Sequence, residues 1–296
     1  MAIKTVKAVI NGTTYNLTYD ASLKAWTANA TAPGSTSYTQ PNKYFDVQVT
    51  ATNDAGTSAS VNGTSNSGCQ LVVKETVKPV ITITSPSNGA YVSNNKPPII
   101  FTVVDEAGGS GVNINSLVVT IDDAKVTTGI VSTTITNGFS VTVTPSTSLT
   151  DGSHTVKITC SDNDGNAADA KTTTFKVDTV PPSLNVSSPT EGLITANKSL
   201  VVNGTTNDAT SSPVTVTVNG SAVTVGTNGS FSTTVTLTEG SNTITVIAKD
   251  TAGKTTTITR HVTLNTKAPK ISTVTITPNP ANTGASMIIK VVVDES

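Results

Sequence analysis

The chain has 296 residues, of which 12% are charged and 4% aromatic, and its formal net charge is −1 at neutral pH. A chain this neutral offers no cationic field to hold a nucleic acid or an anionic membrane, so we expect neither partner. No apolar run approaches the ~20 residues that span a bilayer. Thr, Val, Ser, Asn and Gly dominate, which favours strands and turns over helices and predicts an all-β protein.

The chain opens on a predicted β-hairpin. Thr5 to Ile10 alternates polar and apolar residues, Asn11-Gly12 is a strong hairpin signal, and a second strand returns through Tyr15 and Leu17. The first residues show neither the apolar block nor the cleavage site of a signal peptide. We therefore expect no leader on this chain.

One aromatic residue lies at a similar place in each of three modules: Trp26, Phe139 and Phe231. A lone large aromatic in a small sandwich usually fills the core, and we predict this for all three. Stacking of Trp26 on a sugar is the alternative.

A pattern of turn, strand and turn occurs three times, in residues 42–57, 151–166 and 239–254, with the first copy matching only in its second half. Alternate residues of each strand are apolar, which predicts one buried face. An Asn or Asp followed three positions later by Gly then closes each copy, as is typical of hairpin turns. The apolar positions are Val47, Val49 and Ala51, then Val156, Ile158 and Cys160, then Ile244, Val246 and Ala248.

Short linkers that contain proline divide the chain into about three modules of ~100 residues. We predict an N-terminal module at 1–77 that lacks the usual first two strands, complete domains at 78–179 and 180–267, and the first strands of a further module at 268–296. Because proline restricts the linkers, we expect the β-sandwich domains to be arranged end to end as a rod.

Three explanations stay open for the strands predicted at 268–296. In the first, the natural chain continues beyond them. In the second, one subunit shares them with the incomplete first module of the next subunit, which gives a head-to-tail polymer. In the third, the first module is complete without them because it uses a late strand from Gln70 to Lys74.

No residues are arranged for catalysis. The histidines, His154 and His261, lie in no motif with a nucleophile and an orienting acid, and the acidic residues fall mainly at turns. We predict that the protein is not an enzyme and has no catalytic or cofactor-binding residues. Cys160 is expected to be a small buried hydrophobe, because it takes the inward position that Ala51 and Ala248 have in the other copies. A disulfide with Cys69 is not expected, because it would have to join two modules.

The sequence contains one candidate metal site, for calcium. Asp162, Asp164 and Asn166 bring hard oxygen donors together within five residues. This run lacks the final Glu of an EF-hand loop, and the third copy of the repeat has Lys254 in the corresponding turn. A weak calcium site and a simple capped turn therefore remain alternatives. Further acids that would approach a junction between modules are Asp105, Glu106 and Asp178.

Four features resemble bacterial immunoglobulin-like (Ig-like) repeats. They are the linker Asp178-Thr-Val-Pro-Pro182, the Ser-Pro-x-x-Gly turns that begin at Ser85 and Ser188, the Asp/Glu-Gly-Ser approach to a long strand, and the Asp-x-x-Gly hairpin after it. The resemblance covers residues 78–267 well and both ends in part. It implies tandem Ig-like sandwiches without a family-wide catalytic residue. Members of the family are phage virion components, stalks of adhesins, or accessory modules of carbohydrate-active enzymes.

Among these roles, we expect a structural protein of a bacteriophage virion, in the tail, the baseplate or the capsid decoration, because the chain enters a strand directly and shows no export signal. Its partners would be other virion proteins or copies of itself, with host-surface glycans as weak ligands. One alternative is the stalk of a bacterial adhesin, located at the cell surface. The other is an accessory module of a carbohydrate-active enzyme.

Overall fold

The computed structural model describes residues 2–294 of the chain. These residues form β-strands and two short 3₁₀ turns, at Ser37–Thr39 and Ser67–Cys69, and contain no α-helix. The predicted all-β class is therefore confirmed. No helix in this described part is long and apolar enough to cross a membrane. The chain divides into two compact units, Met1–Val177 and Asp178–Ser296.

The first unit begins with a single sheet, which we call the N-terminal sheet. Its strands are β1 Ile3–Ile10, β2 Thr13–Asp20, β3 Ala25–Thr27, β4 Phe45–Asn53, β5 Ser58–Val61 and β6 Gln70–Leu71. The order is β3-β2-β1-β4-β5, and β6 extends the same sheet by pairing with β4. Asn11 and Gly12 take φ angles of 46° and 78° in the tight turn between β1 and β2, as the Asn-Gly pair predicts. Residues 2–77 contain no second sheet.

The rest of the first unit consists of two packed sheets, which we call the first sandwich. Its strands are β7 Val80–Ser85, β8 Ala90–Val92, β9 Ile99–Val104, β10 Val112–Ile121, β11 Ala124–Lys125, β12 Ile130–Ile135, β13 Gly138–Val143, β14 Gly152–Asp162 and β15 Lys171–Val177. The two orders are β12-β13-β9-β7 and β11-β10-β14-β15-β8. Alternating apolar residues from both sheets form the core, where Phe101 and Ile158 are fully buried. Each such side chain stabilises the fold by roughly 1.5–3 kcal/mol.

The second unit contains a sandwich of the same plan, which we call the second sandwich. Its strands are β16 Ser183–Ser188, β17 Leu193–Thr195, β18 Ser199–Asn207, β19 Thr215–Val218, β20 Ser221–Val223, β21 Ser230–Thr236, β22 Gly240–Lys249 and β23 Thr255–Leu264. The sheets have the orders β16-β18-β21 and β17-β23-β22-β19-β20. Val202, Phe231 and Val246 lie in its core.

The second unit also contains a two-stranded sheet, which we call the C-terminal hairpin. It consists of β24 Lys270–Thr277 and β25 Ile288–Asp294, paired antiparallel. Every residue of both strands is exposed, including the aliphatic ones. Such exposure is unusual, because large apolar patches on soluble proteins generally mark interaction sites.

The predicted core position is confirmed for Phe231 and is wrong for Trp26. Phe231 is 3% exposed, and Phe139 is half-buried against the core of the first sandwich. Trp26 is also only half-buried, and its ring meets that of exposed Tyr19 edge-on at 5.8 Å between centroids. The physical reason is that residues 2–77 form no second sheet, so Trp26 has no core between two sheets to enter.

Both cysteines are buried, as predicted for Cys160. Cys69 is 6% exposed and Cys160 is 5% exposed, and both are free thiols. Burial, together with the nearby carboxylates of Asp162 and Asp105, raises the pKa of the Cys160 thiol to about 11. The thiol therefore stays protonated and unreactive at neutral pH.

Candidate metal centres

Three acidic side chains meet in the first unit to form what we call the first carboxylate cluster. One carboxylate oxygen from each of Glu75, Asp105 and Asp162 lies within 4.8 Å of the others. Glu75 lies five positions before the first residue of β7, Asp105 directly follows β9, and Asp162 is the last residue of β14. Asp105 is 3% exposed and Asp162 is 1% exposed, while Glu75 is half-buried.

Backbone N–H groups hold these carboxylates but leave some of their oxygens without a partner. Glu75 Oε1 accepts a hydrogen bond from Ser110 N at 2.5 Å, and Asp105 Oδ2 accepts one from Gly111 N at 2.7 Å. Three of the four buried carboxylate oxygens that receive no hydrogen bond within residues 2–294 lie in or beside this cluster: Glu75 Oε2, Asp105 Oδ1 and Oε2 of the neighbouring Glu106. Buried unpaired carboxylate oxygens are costly, so each needs an explanation.

The electrostatics of the first cluster favour a bound cation. Burial raises the pKa of Asp105; the N–H of Gly111 opposes this shift, and the charges of Glu75, Asp162 and Asp164 add to it. None of the ion pairs described for residues 2–294 includes an acid of the cluster. The negative charge is therefore concentrated in a poorly solvated place without a compensating side chain.

A second carboxylate cluster occurs in the second unit. It contains Asp178, Asp208 and Asp250, again with one oxygen of each within 4.8 Å of the others. Asp178 is fully buried and Asp250 is 5% exposed. Ser211 Oγ donates a short hydrogen bond to Asp178 Oδ2, while Asp250 Oδ2 is buried without a partner in the described chain. Lys254 contacts Asp250 through its backbone N–H, at 2.8 Å from Oδ1.

The two clusters occupy equivalent positions in the two sandwiches. Asp178 lies five positions before the first residue of β16, as Glu75 does before β7. Asp208 directly follows β18 as Asp105 follows β9, and Asp250 directly follows β22, the counterpart of β14. The same three places in the fold therefore carry carboxylates twice. Turn capping explains part of this arrangement, but it does not explain why three capping acids point at one another.

The residues predicted as metal ligands separate in the structure. Asp162 belongs to the first cluster. Asp164 does not, because its Oδ2 accepts hydrogen bonds from Thr36 Oγ1 and, at 3.1 Å, from Glu75 N. Asn166 supports two members of the cluster by hydrogen bonds: its side-chain nitrogen donates to Asp162 Oδ2 at 2.7 Å and to the Glu75 carbonyl at 3.1 Å.

Of the other acids predicted near a junction, Asp105 joins the first cluster and Asp178 joins the second. Sequence reasoning missed Glu75, Asp208 and Asp250 as ligands. One signal would have found Glu75: an acid stands five positions before the first strand of each sandwich.

The chemistry of both clusters suits a hard cation. Calcium binds six to eight oxygen ligands, mainly carboxylates and carbonyls, and tolerates irregular geometry. Three carboxylates supply three to six of these oxygens, and nearby carbonyls and water would supply the rest. The clusters contain neither His nor Cys, so they lack the nitrogen and sulfur ligands typical of zinc.

The histidines have structural contacts. His154 Nδ1 lies 2.6 Å from Asp122 Oδ2, and its Nε2 lies 2.7 Å from the Thr150 carbonyl. Burial lowers the pKa of His154, but these two hydrogen bonds and the Asp122 charge outweigh burial and leave the pKa raised. His261 pairs with Glu191 at 2.8 Å on the surface. Among the contacts described for residues 2–294, no hydroxyl or thiol is hydrogen-bonded to either imidazole.

Two family models match the two sandwiches. Residues 88–179 match the bacterial Ig-like domain, and residues 182–266 match domain B of glucodextranase. The chain carries tandem Ig-like domains. Domains of this kind are generally non-catalytic. A comparison with curated proteins gives no match.

Solved structures similar to these Ig-like domains are themselves tandem arrays. The I-band fragment I67–I69 of titin is 13% identical, with 89% of this chain and 88% of that one covered and a TM-score of 0.41. The fibronectin(III)-like modules of Clostridium thermocellum CbhA are 18% identical over 62% of this chain and 94% of theirs, with a TM-score of 0.39. A tetra-tandem repeat from the extending region of a large adhesion protein is 18% identical over 98% and 79%, with a TM-score of 0.31.

Proposed function

We propose that this chain is a non-catalytic structural protein whose Ig-like domains are stabilised by calcium and displayed on the outer surface of a bacteriophage virion. The observation that carries the structural role is the carboxylate cluster built twice at equivalent positions. A buried carboxylate cluster that is repeated in two domains is suited to holding segments together.

A bound calcium ion would stabilise each cluster, because coordination of the carboxylates would offset the repulsion between their negative charges. In the first cluster, Glu75 belongs to the segment before β7, whereas Asp105 directly follows β9 and Asp162 is the last residue of β14. A cation between them would tie this segment to the sandwich. In the second cluster, Asp178 takes the place of Glu75 and the segment before β16 would be fixed in the same way. Ions that bind only the folded state add their binding free energy to stability.

Calcium binding is tested by titrating the chelator-treated full chain in a calorimeter. We expect two bound ions per chain for the wild type. Asp105→Asn should abolish one and Asp250→Asn the other, because each removes a charged ligand from one cluster. The matched control is Asp169→Asn, since Asp169 is an exposed acid paired with Lys78 and belongs to neither cluster. Absence of binding, or equal binding in all variants, contradicts the calcium proposal.

The virion location rests on the family resemblance of the linker and turn motifs, and it includes weak adhesion to host glycans. Immunogold labelling of purified phage particles with an antibody against the Ig-like domains tests it. Regular labelling of tail, baseplate or capsid supports the proposal. Labelling of bacterial cells alone would instead support the adhesin alternative.

A second candidate function follows from one specific match. Residues 182–266 match domain B of glucodextranase, which favours an accessory module of a carbohydrate-active enzyme for this part of the chain. Binding of α-glucan oligosaccharides to the full chain, measured by calorimetry, distinguishes the two. Saturable binding that persists after calcium is removed supports the accessory module. Absence of such binding supports the structural protein proposed above.

A further inference from the structure

One apolar face of the N-terminal sheet is covered only in part within the described chain, since Val6 and Phe45 on this face are buried at 8% and 4% exposed. In the sandwiches, the counterparts of β4 are β14 and β22, whose inward residues such as Ile158 and Val246 are fully buried. In β4, the corresponding Val47, Val49 and Ala51 remain half-exposed. The register continues this face across the sheet, since Val49 faces Ala8 on β1 and Ala8 faces Tyr15 on β2.

The C-terminal hairpin has an apolar face of the same kind. Three of its register pairs place six aliphatic residues together on that face, with the polar side chains of Thr275 and Lys290 on the other face. These six are Ile271 and Val293, Val274 and Val291, and Ile276 and Ile289, and their exposures run from 41% to 63%. In the first sandwich, the equivalent pair of strands β7 and β9 contributes Ile81, Phe101 and Val103, all at most 1% exposed.

The two open surfaces are complementary parts of one sandwich. Within the N-terminal sheet, the four neighbouring strands β2-β1-β4-β5 correspond to β11-β10-β14-β15 and to β20-β19-β22-β23. In both sandwiches, the facing sheet includes an antiparallel pair, β7 with β9 or β16 with β18, and the hairpin is such a pair. Each sandwich also has a short parallel strand, β8 or β17, on the edge that β5 leaves open. Along the chain, that short strand lies between the two paired strands. In the C-terminal hairpin, residues 278–287 occupy this place.

We propose that the C-terminal hairpin of one copy of this chain packs on the open face of the N-terminal sheet of a second copy, completing an Ig-like sandwich between the two. A specific interface buries about 1,000 Å² or more in total, so both apolar faces have to be covered together. A second copy carries both surfaces in equal number, and the contact is head-to-tail, so it propagates into chains. The proposal depends neither on calcium nor on the virion location.

The single tryptophan of the chain reports on this contact directly. Trp26 lies half-buried beside Ala8, Ile10 and Leu17 at the margin of the open face. Association should therefore shift its fluorescence emission to shorter wavelength and protect it from acrylamide. We expect the wild type to show both effects as its concentration rises through the micromolar range, in parallel with growth of oligomers in sedimentation velocity.

Two single variants of the full chain separate the two surfaces. Ile276→Asp places a charge on the apolar face of the hairpin, and Val49→Asp does so on the apolar face of the sheet. Each variant alone should be monomeric. A mixture of the two should form a dimer and no larger species, because one intact hairpin and one intact sheet remain. The matched controls are Thr275→Asp and Gln48→Asp, which lie on the opposite faces and should oligomerise like the wild type.

The outcomes decide the proposal even where a variant folds poorly. Wild type that stays monomeric, with Trp26 equally accessible to acrylamide at every concentration, overturns it. Oligomers that persist in Ile276→Asp also overturn it, because they use another surface. Should Val49→Asp lose the N-terminal sheet, the exposed Tyr19→Asp variant provides the same test of the acceptor face. A mixed dimer of exact one-to-one composition is the result that supports the proposal.

Discussion

The substitution Asp105→Asn should change stability in opposite directions with and without calcium. Asparagine keeps an oxygen for the Gly111 N–H but removes one of three negative charges whose oxygens lie within 4.8 Å. Two unit charges at that distance repel by about 3.5 kcal/mol at an effective dielectric constant of about 20. Burial and the neighbouring charges raise the pKa of Asp105, which agrees with a repulsion that disfavours its charged form. We expect the variant to be more stable than the wild type by about 1–3 kcal/mol in chelator.

With calcium present, the wild type should be the more stable protein. An ion at about 100 times its dissociation constant adds about 2.7 kcal/mol to the folded state, and the variant loses most of this. Differential scanning calorimetry measures both effects, with about 2–4 °C in Tm per kcal/mol for a unit of this size. Asp169→Asn is the control. A variant that is destabilised equally in chelator and in calcium would refute the reasoning, because it would show a purely structural role for Asp105.

Three further predictions follow from particular contacts. In chelator, the stability of wild type relative to Asp105→Asn should rise as the pH falls through the raised pKa of Asp105 toward its ordinary value near 3.8, because protonation relieves the repulsion. Urea unfolding of both proteins as a function of pH measures this. A difference in unfolding free energy that stays constant with pH would contradict it. The pKa of His154 is raised beside Asp122, so this pair should stabilise the fold by about 1 kcal/mol below pH 6.5 and lose that effect as the pH rises through the raised pKa. Urea unfolding of Asp122→Ala and of wild type, below pH 6.5 and above the raised pKa, measures the effect. A difference in stability that does not depend on pH would argue against the pair. Ile158→Ala in β14 should lower the free energy of unfolding by about 2–5 kcal/mol, whereas Val49→Ala in the equivalent strand β4 should lower it by less than about 1 kcal/mol in dilute monomer. Guanidinium unfolding measures both. Equal losses would show that Val49 is covered as fully as Ile158.

The fold was predictable from sequence because its signals are local. The strands β4, β14 and β22 each carry alternating apolar residues between turn residues, and the Asn11-Gly12 pair defines its hairpin within two positions. Such patterns depend on neighbours along the chain, and they persist whatever the rest of the protein does. The resemblance of the linker and turn motifs to Ig-like repeats then supplied the sandwich architecture.

The candidate metal centre was predictable only in part, because its members are distant in sequence. Asp162 was identified within an acidic run, but its neighbour Asp164 points to Thr36 and the Glu75 backbone. The true partners of Asp162 are Asp105 and Glu75, which only the folded sandwich brings close. The prediction that Trp26 is buried failed for a related reason. Its burial would depend on a second sheet, which no local pattern in residues 2–77 encodes.

The account depends most on cations filling the two carboxylate clusters. A crystal structure of the full chain grown with calcium tests this directly. We expect an ion at each cluster, with oxygens of Glu75, Asp105 and Asp162 at the first and of Asp178, Asp208 and Asp250 at the second, at about 2.3–2.6 Å. Density for water alone at both clusters, with the carboxylates turned apart, would contradict the account.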